Sequence, residues 1–453
     1  MNVKLKITRF WKQSLYDGGS EKEMQLKYGL DDSPKGLEMI IYGLQWFVVS
    51  IPALLIIGKL IATMQYDDPG QQIIYIQKLL FVTSIVFIAQ VLWGHRLPLV
   101  LGPATVLLIG IIASQSTRPE FISTSIFIGG LLLALVAFSG LFAHVQKLFT
   151  VRVVSVILIL IAFTLSPVIL NLIFSPESAF SPLFNLSFAV LLCLGMFTAN
   201  KLLKGVWKAT VVVCGILFGS VIHVLLQTVL APASSVSVPE LPVFGLFFEG
   251  LSFKFAFDPG VLLSFLFCYL ALSINDLGSI QSVGGLLNAS SMEERVRKGV
   301  GITGLGNAIA GLFGVVGPVN FSFSPGLITA TGCASRYSLL PAGIGLLFLS
   351  FFPATVNFIS SIPPVVIGSV LVYLMSAQIA SGLLMLAERN AISGFNEGLV
   401  VGFPILIATI LAFIPSELLA TFPPVLRPIV GNGFVMGVII VILLERLILK
   451  IGS

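Results

Sequence analysis

The feature that most limits what this chain can fold into is a series of apolar runs, each roughly 20 residues long. They begin near residue 38 and repeat to the C-terminus. Inside a bilayer such a run has no water to satisfy its peptide groups, so only helices and closed barrels remain. A transmembrane barrel would show alternating segments of about ten residues, and these runs do not alternate. With 57% hydrophobic and 10% charged residues, an ordinary soluble domain is excluded. The chain reads as an all-α polytopic membrane protein sitting in a lipid bilayer.

Fourteen spans fit the pattern, near 38–62, 71–93, 97–115, 121–145, 151–173, 182–200, 205–228, 260–284, 298–316, 318–333, 338–359, 363–386, 394–415 and 428–449. With the N-terminus cytoplasmic, 20 of the 25 Lys and Arg fall on the inside, which supports an even count with both termini there. The net charge of +5 is read as this topology signal and not as a nucleic-acid surface. Residues 1–36 are polar and basic, without the short apolar core and cleavage site of a signal peptide; they read as a cytoplasmic N-terminal segment. A first seven-span repeat is expected over 37–228, an extracytoplasmic connection over 229–259, and a second repeat over 260–453. Seven is odd, so the two repeats would be inverted.

Two spans are interrupted. Span 10 falls in the stretch Asn320 to Arg336, with Pro325 and Gly326 in its middle, and span 3 contains Pro98 to Leu107, with Gly102 and Pro103. Proline lacks a backbone N–H and glycine lacks a conformational preference, so neither stretch continues as a helix. Opened backbone survives at membrane depth only where protein or a water-filled cavity satisfies it. Broken spans at matching positions of two halves point to a binding site at the bilayer midplane.

Ionisable side chains within spans cost roughly 2.5–3.5 kcal/mol at a helix centre and mark function. Asp276 is the one carboxylate near the middle of a span, among Ser273, Asn275, Ser279 and Gln281. It reads as a ligand or proton site, against a structural aspartate paired with another helix. Gln45 on span 1 either meets a ligand or bonds a neighbouring helix. His223 reads as a packing residue; His95 and His144, at span ends, read as interfacial. Gly301 to Gly314 on span 9 forms a small-residue packing face. Cys193, Cys214, Cys268 and Cys333 lie in spans without metal-ligand spacing and read as free thiols. No nucleotide loop, zinc motif or identifiable nucleophile–base pair is present, so no enzyme, metal site or cofactor is expected.

Several stretches resemble the nucleobase–cation symporter-2 family, also called nucleobase–ascorbate transporters, over essentially residues 38–450. They are Tyr42–Trp46; Gly94–Pro98 with Gly102–Pro103; Gly301–Gly314; Gly326–Thr331 with Ala334–Arg336; and Ser361–Gly368. The resemblance implies fourteen spans divided into a core domain (spans 1–4 and 8–11) and a gate domain (spans 5–7 and 12–14), often in a homodimer. Substrate would lie between spans 3 and 10, against spans 1 and 8. The implied activity is uptake of a nucleobase by alternating access with proton symport, or sodium symport, across a bacterial inner membrane. The chain departs from the family where its ionisable residues usually stand: Asn275 and Ser279 replace the span 8 acid and its partner, Phe323 the span 10 acid or amide, and Trp46 the span 1 histidine. The pocket positions carried over are therefore Ala53, Thr105, Asn275, Ser279, Ser322, Phe323 and Ser324, with Gln45 beside them and Asp276 as the coupling residue. An oxopurine is the favoured substrate and uracil the other. The alternatives are an anion transporter of the same fold, or an uncoupled nucleobase facilitator.

Overall fold

The computed structural model describes residues 26–115, 117–142, 150–175, 178–203, 210–230, 242–248, 254–321, 324–360, 362–388, 391–419, 421–423 and 426–448. The chain begins with α1 (Leu37–Gln65) and α2 (Pro69–Leu92), then a short strand β1 (Leu101–Pro103), α3 (Thr105–Ala113) and α4 (Pro119–Phe138). Next come α5 (Val151–Thr164), α6 (Ser166–Ile173), α7 (Pro182–Leu202) and α8 (Val211–Leu230). The second half runs α9 (Pro259–Leu286), α10 (Met292–Phe313), β2 (Pro318–Asn320), α11 (Ser324–Thr331), a 3-10 turn (Arg336–Leu339), α12 (Leu340–Leu349) and α13 (Pro353–Ser360). It ends with α14 (Pro364–Glu388), α15 (Phe395–Ala412), α16 (Ser416–Leu419), α17 (Arg427–Val430), α18 (Gly433–Leu443) and a π turn (Leu444–Ile448).

Several of the helices start on an oxygen-bearing side chain, three of them with proline next. Asp68, Ser181 and Asp258 each accept from a backbone N–H of the first turn, with Pro69, Pro182 and Pro259 next in line. The cap satisfies an otherwise orphaned donor, and proline removes another.

Among the described residues, nine helices are long and apolar enough to cross a membrane. Fourteen spans were expected. Helices occupy the other five intervals too, but are shorter or more polar. The two interrupted spans are a short strand plus a short helix, α10 begins with five charged residues, and span 11 is divided among the 3-10 turn, α12 and α13. The protein is an integral, multi-pass membrane protein.

The helices pack in two groups. One contains α1–α4 and α9–α13; the other contains α5–α8, α14, α15 and α18. In the first group α4 and α10 approach so closely that their backbones touch. A Cβ on Gly130 would stand 2.5 Å from the Ala308 nitrogen, and one on Gly304 2.5 Å from the Ala134 nitrogen. This is the small-residue face expected on span 9, and it brings dispersion contacts along the whole pair. Segment 242–248 also joins this group. Phe247 is fully buried, with its ring 5.2 Å from that of Phe81 and 5.5 Å from that of Phe351.

Residues 26–32 form a strap over the end of span 10. Tyr28 bridges Cys333 in parallel, the Lys27 N–H donates to the Gly332 carbonyl, and the Arg336 N–H donates to the Leu30 carbonyl. Arg336 secures the strap by donating to Asp31 Oδ1 at 2.8 Å and to the Val91 carbonyl at 2.9 Å. In the second group the fully buried Glu445 accepts from Arg152 Nε at 2.9 Å and from the Thr150 hydroxyl at 2.6 Å.

Two outcomes follow from these packings. Arg152→Ala strands a buried carboxylate and should cost about 3–5 kcal/mol, whereas breaking the exposed Lys27–Glu38 pair should leave the unfolding temperature nearly unchanged. Thermal unfolding of the detergent-purified variants compares them. Gly304→Val forces apart two touching backbones and should lower stability by about 1–3 kcal/mol or more in the same assay.

Candidate functional site

The two broken spans solve each other's hydrogen-bonding problem. β1 and β2 pair antiparallel, with Leu101 opposite Asn320, Gly102 opposite Val319, and Pro103 opposite Pro318. The facing prolines carry no N–H to orphan. Beyond them the Ala104 N–H donates to the Gly317 carbonyl at 2.9 Å, and at the other end the Phe321 N–H donates to the Val100 carbonyl at 2.8 Å. Gly102 lets the Phe321 ring lie against the strand: a Cβ there would stand 2.3 Å from the ring and force it to shift. Both strands lead into helices, so α3 and α11 start near the crossing and run away from it. No side chain caps α3, which begins after Ala104. The positive ends of both helix dipoles thus lie close to the crossing.

Side chains pin β2 along its length. Asn307 Nδ2 donates to the Pro318 carbonyl at 2.8 Å, and its Oδ1 accepts from the Tyr269 hydroxyl at 3.1 Å. At the far end, Asn320 donates to Asp276 Oδ1 twice, from its backbone N–H at 3.1 Å and from Nδ2 at 2.6 Å. Asp276 is fully buried, and its Oδ2 has no hydrogen-bond partner among the described residues. The Thr303 hydroxyl lies beside this carboxylate.

The expected site residues divide by exposure. Asn275 on α9, Ala53 on α1 and Thr105 at the start of α3 are half-buried, on elements that pack around the crossing. Ser279 and Ser324 are fully buried. The Ser279 hydroxyl lies 2.9 Å from both the Asn275 and Asn320 carbonyls, and Ser324 Oγ accepts from the Val100 N–H at 3.0 Å. Their hydroxyls close the crossing and face no open space. Gln45 is about 12 Å along α1 from Ala53, by the helical rise. It stands at the level where Trp46 Nε1 donates to Ser338 Oγ at 3.0 Å and Gly43 packs on Pro341. Ser322 and Phe323 lie outside the described residues, as does His144.

Helical spacing puts Gly278 on the face of Asn275, and a Cβ built there meets nothing within 4 Å. With Asn275 and Gln281, also partly exposed, it makes the open face of α9. Sequence reading missed His95. It was expected at the interface, yet it is fully buried, with Nε2 3.1 Å from Asn320 Oδ1. Its neighbour Arg96, which is exposed, made the end of span 2 read as surface. His223 behaves as expected, packed edge-on between the rings of Phe180 and Phe188. The four cysteines are free.

Among the described residues, nine membrane-length helices and two broken spans paired at their strands make this a multi-pass membrane protein. A family model described as "Permease family", that of the xanthine/uracil permeases, matches residues 37–417. The chain belongs to this family, the nucleobase–cation symporter-2 group. It is 25% identical to a putative purine permease of Clostridium perfringens, over 94% of each chain. It is 26% identical to a uric acid permease of Bacillus subtilis, over 78% of each chain. Among solved structures, it resembles the transmembrane domain of a cyanobacterial bicarbonate transporter, BicA, with a TM-score of 0.58 and 16% identity over 84% of this chain and 97% of that one. It also resembles the murine anion transporter Slc26a9 in its inward-facing state, with a TM-score of 0.55 and 13% identity over 97% of this chain and 74% of that one. These two likenesses establish the fold alone.

The open position at Gly278 can be tested directly. Gly278→Leu projects a side chain into free space and removes a helix-interior glycine, so the unfolding temperature should hold or rise. Stabilisation by a bound substrate should disappear in the same variant.

Proposed function

We propose that this protein takes up a nucleobase, an oxopurine in preference to uracil, by proton symport. The observation that carries the reading is the open Asn275–Gly278 face of α9 beside the β1–β2 crossing, in a chain of this family. A purine ring is planar, with N–H donors and carbonyl acceptors around its edge. Asn275 carries both donor and acceptor groups, and the starts of α3 and α11 offer positive dipole ends to a carbonyl oxygen. Relatives named for purines and uric acid support the oxopurine preference.

The proposal includes fourteen spans in two inverted repeats, with the first helix group acting as core and the second as gate. Alternating access would come from movement of one against the other. The Lys and Arg distribution favours cytoplasmic termini, and a bacterial inner membrane is carried over from the family resemblance. Homodimer formation is carried over from the family resemblance. Asp276 is the proposed proton carrier: it is the buried carboxylate at the crossing, and its Oδ2 is unpartnered.

A thermal-shift panel of uracil, xanthine, hypoxanthine, guanine, urate, adenine, ascorbate, sulfate and bicarbonate tests the substrate. A ligand that binds only the folded state raises its stability by RT ln(1 + [L]/Kd). The expected result is a shift with one oxopurine that is lost in Asn275→Ala. A shift with sulfate or bicarbonate alone would overturn the nucleobase reading and favour an anion transporter. For coupling, Asp276→Asn in proteoliposomes should abolish uphill accumulation while exchange continues. Undiminished accumulation would remove Asp276 from the coupling role and leave sodium coupling as the rival. Wild-type protein that only equilibrates substrate would be an uncoupled facilitator.

A further inference from the structure

Asn320 is bonded at every polar atom by residues from other parts of the chain. Its backbone N–H and Nδ2 serve Asp276 Oδ1, its carbonyl accepts from Ser279 Oγ at 2.9 Å, and its Oδ1 meets His95 Nε2 at 3.1 Å. The histidine side of this contact is determined. His95 Nδ1 accepts from the Leu97 N–H at 3.0 Å, so the ring proton resides on Nε2 and is donated to Asn320 Oδ1. That bond in turn sets the amide: with Oδ1 towards the imidazole, Nδ2 points at the carboxylate. The ring is itself held in place. The His95 N–H donates to Gln90 Oε1, the His95 carbonyl accepts from Arg295 Nη1 at 2.9 Å, and Gln90 Nε2 donates to the Thr303 hydroxyl at 2.9 Å. Gln90, His95, Thr303, Asp276 and Asn320 are all fully buried.

We infer that His95 is a positioning residue for the coupling carboxylate: it locks the Asn320 amide so that Asp276 takes and releases its proton at Oδ2. This rests on the reading of Asp276 as the proton carrier. Two N–H donors on Oδ1 leave that oxygen saturated, so the proton is directed to the unpartnered oxygen. Without the imidazole N–H, the amide is free to turn over and present its own oxygen to the carboxylate. Turned that way, the amide accepts a hydrogen bond from the neutral acid and offers the ionised one no side-chain donor, so ionisation is disfavoured.

Other charges bear little on this point. On the elements packed against it, Arg295 is the charged group facing His95, through the His95 and Arg96 carbonyls. Glu293, Glu294, Arg297 and Lys298 occupy the first two turns of α10; Glu120 and Arg427 stand at the ends of α4 and α17. On α9, Tyr269 is bonded to Asn307 and the Ile126 carbonyl, and Cys268 to Asn432. β1, β2, α3, α11 and α18 bring no ionisable side chain. α1 and α2, which pack on β1, carry Glu38, Tyr42, Lys59, Tyr75 and Lys78; Lys59 donates to the Ile362 carbonyl and Tyr75 accepts from the Val316 N–H.

The test is pH-difference infrared spectroscopy of the full-length protein in lipid nanodiscs, reading the carboxylic acid band that Asp276→Asn removes. His95→Asn keeps an acceptor for the Leu97 N–H but falls short of Asn320, and His95→Gln restores a donor near the Nε2 position. Loss of one hydrogen bond to a carboxylate should move the midpoint of the band to higher pH by about one unit in His95→Asn, with recovery in His95→Gln. An unchanged midpoint in folded His95→Asn overturns the inference while leaving Asp276 as the carrier. Should His95→Asn not fold, Asn320→Ser carries the same expectation, and a wild-type midpoint there overturns it. Absence of any Asp276-dependent band in the wild type removes the coupling reading and this inference together.

Discussion

The structure depends on a six-residue contact, the pairing of β1 with β2. A backbone that leaves the helix at membrane depth exposes donors and acceptors, each worth several kcal/mol if unsatisfied. Neither broken span can settle that account alone. Together they can, because the strands trade hydrogen bonds, prolines remove two of the donors, and Asn307, Ser324 and Asp276 take up what remains. The helices around the crossing are therefore not merely packed near it. α9 and α10 supply the side chains without which the strand pair has unsatisfied edges.

The same residues make the crossing selective in what it leaves free. Serine hydroxyls that might have faced a ligand are used internally, at Ser279 and Ser324. The open positions are the amide of Asn275 and the bare backbone of Gly278. Where the family resemblance would place a carboxylate, this chain has Asn275, a polar edge beside open space, and its buried acid Asp276 stands one position along the helix. On a 100° step that acid turns from the open face to the strand behind it.

The helical class, the interrupted spans and the buried Asp276 were legible in the sequence, because each follows from local chemistry: apolar length, a Pro-Gly pair, a charge within an apolar run. The glycine face of span 9 was legible for the same reason. What sequence hid was partnership at long range. His95 and Asn320 are separated by 225 positions, and nothing near His95 distinguishes a buried imidazole from an interfacial one. Ser279 shares a helix face with Asn275 by spacing, yet a strand arriving from Asn320 covers it. The fourteen-span count is likewise blurred where the chain is broken, because short helices and Gly-rich ones fall below the length and apolarity of an ordinary span.

The backbone contact between α4 and α10 has a mechanical consequence. Where Gly130 meets Ala308 and Gly304 meets Ala134, no side chain intervenes, so there are no rotamers to change and no slack to absorb a displacement. The pair behaves as a strut. Thr303 and Asn307 ride on it, one beside the buried acid and the other holding the start of β2. A force applied at either end of the strut reaches the crossing as a displacement of nearly the same size. The crossing is thereby carried whole, as cargo on a stiff frame, whenever that frame moves.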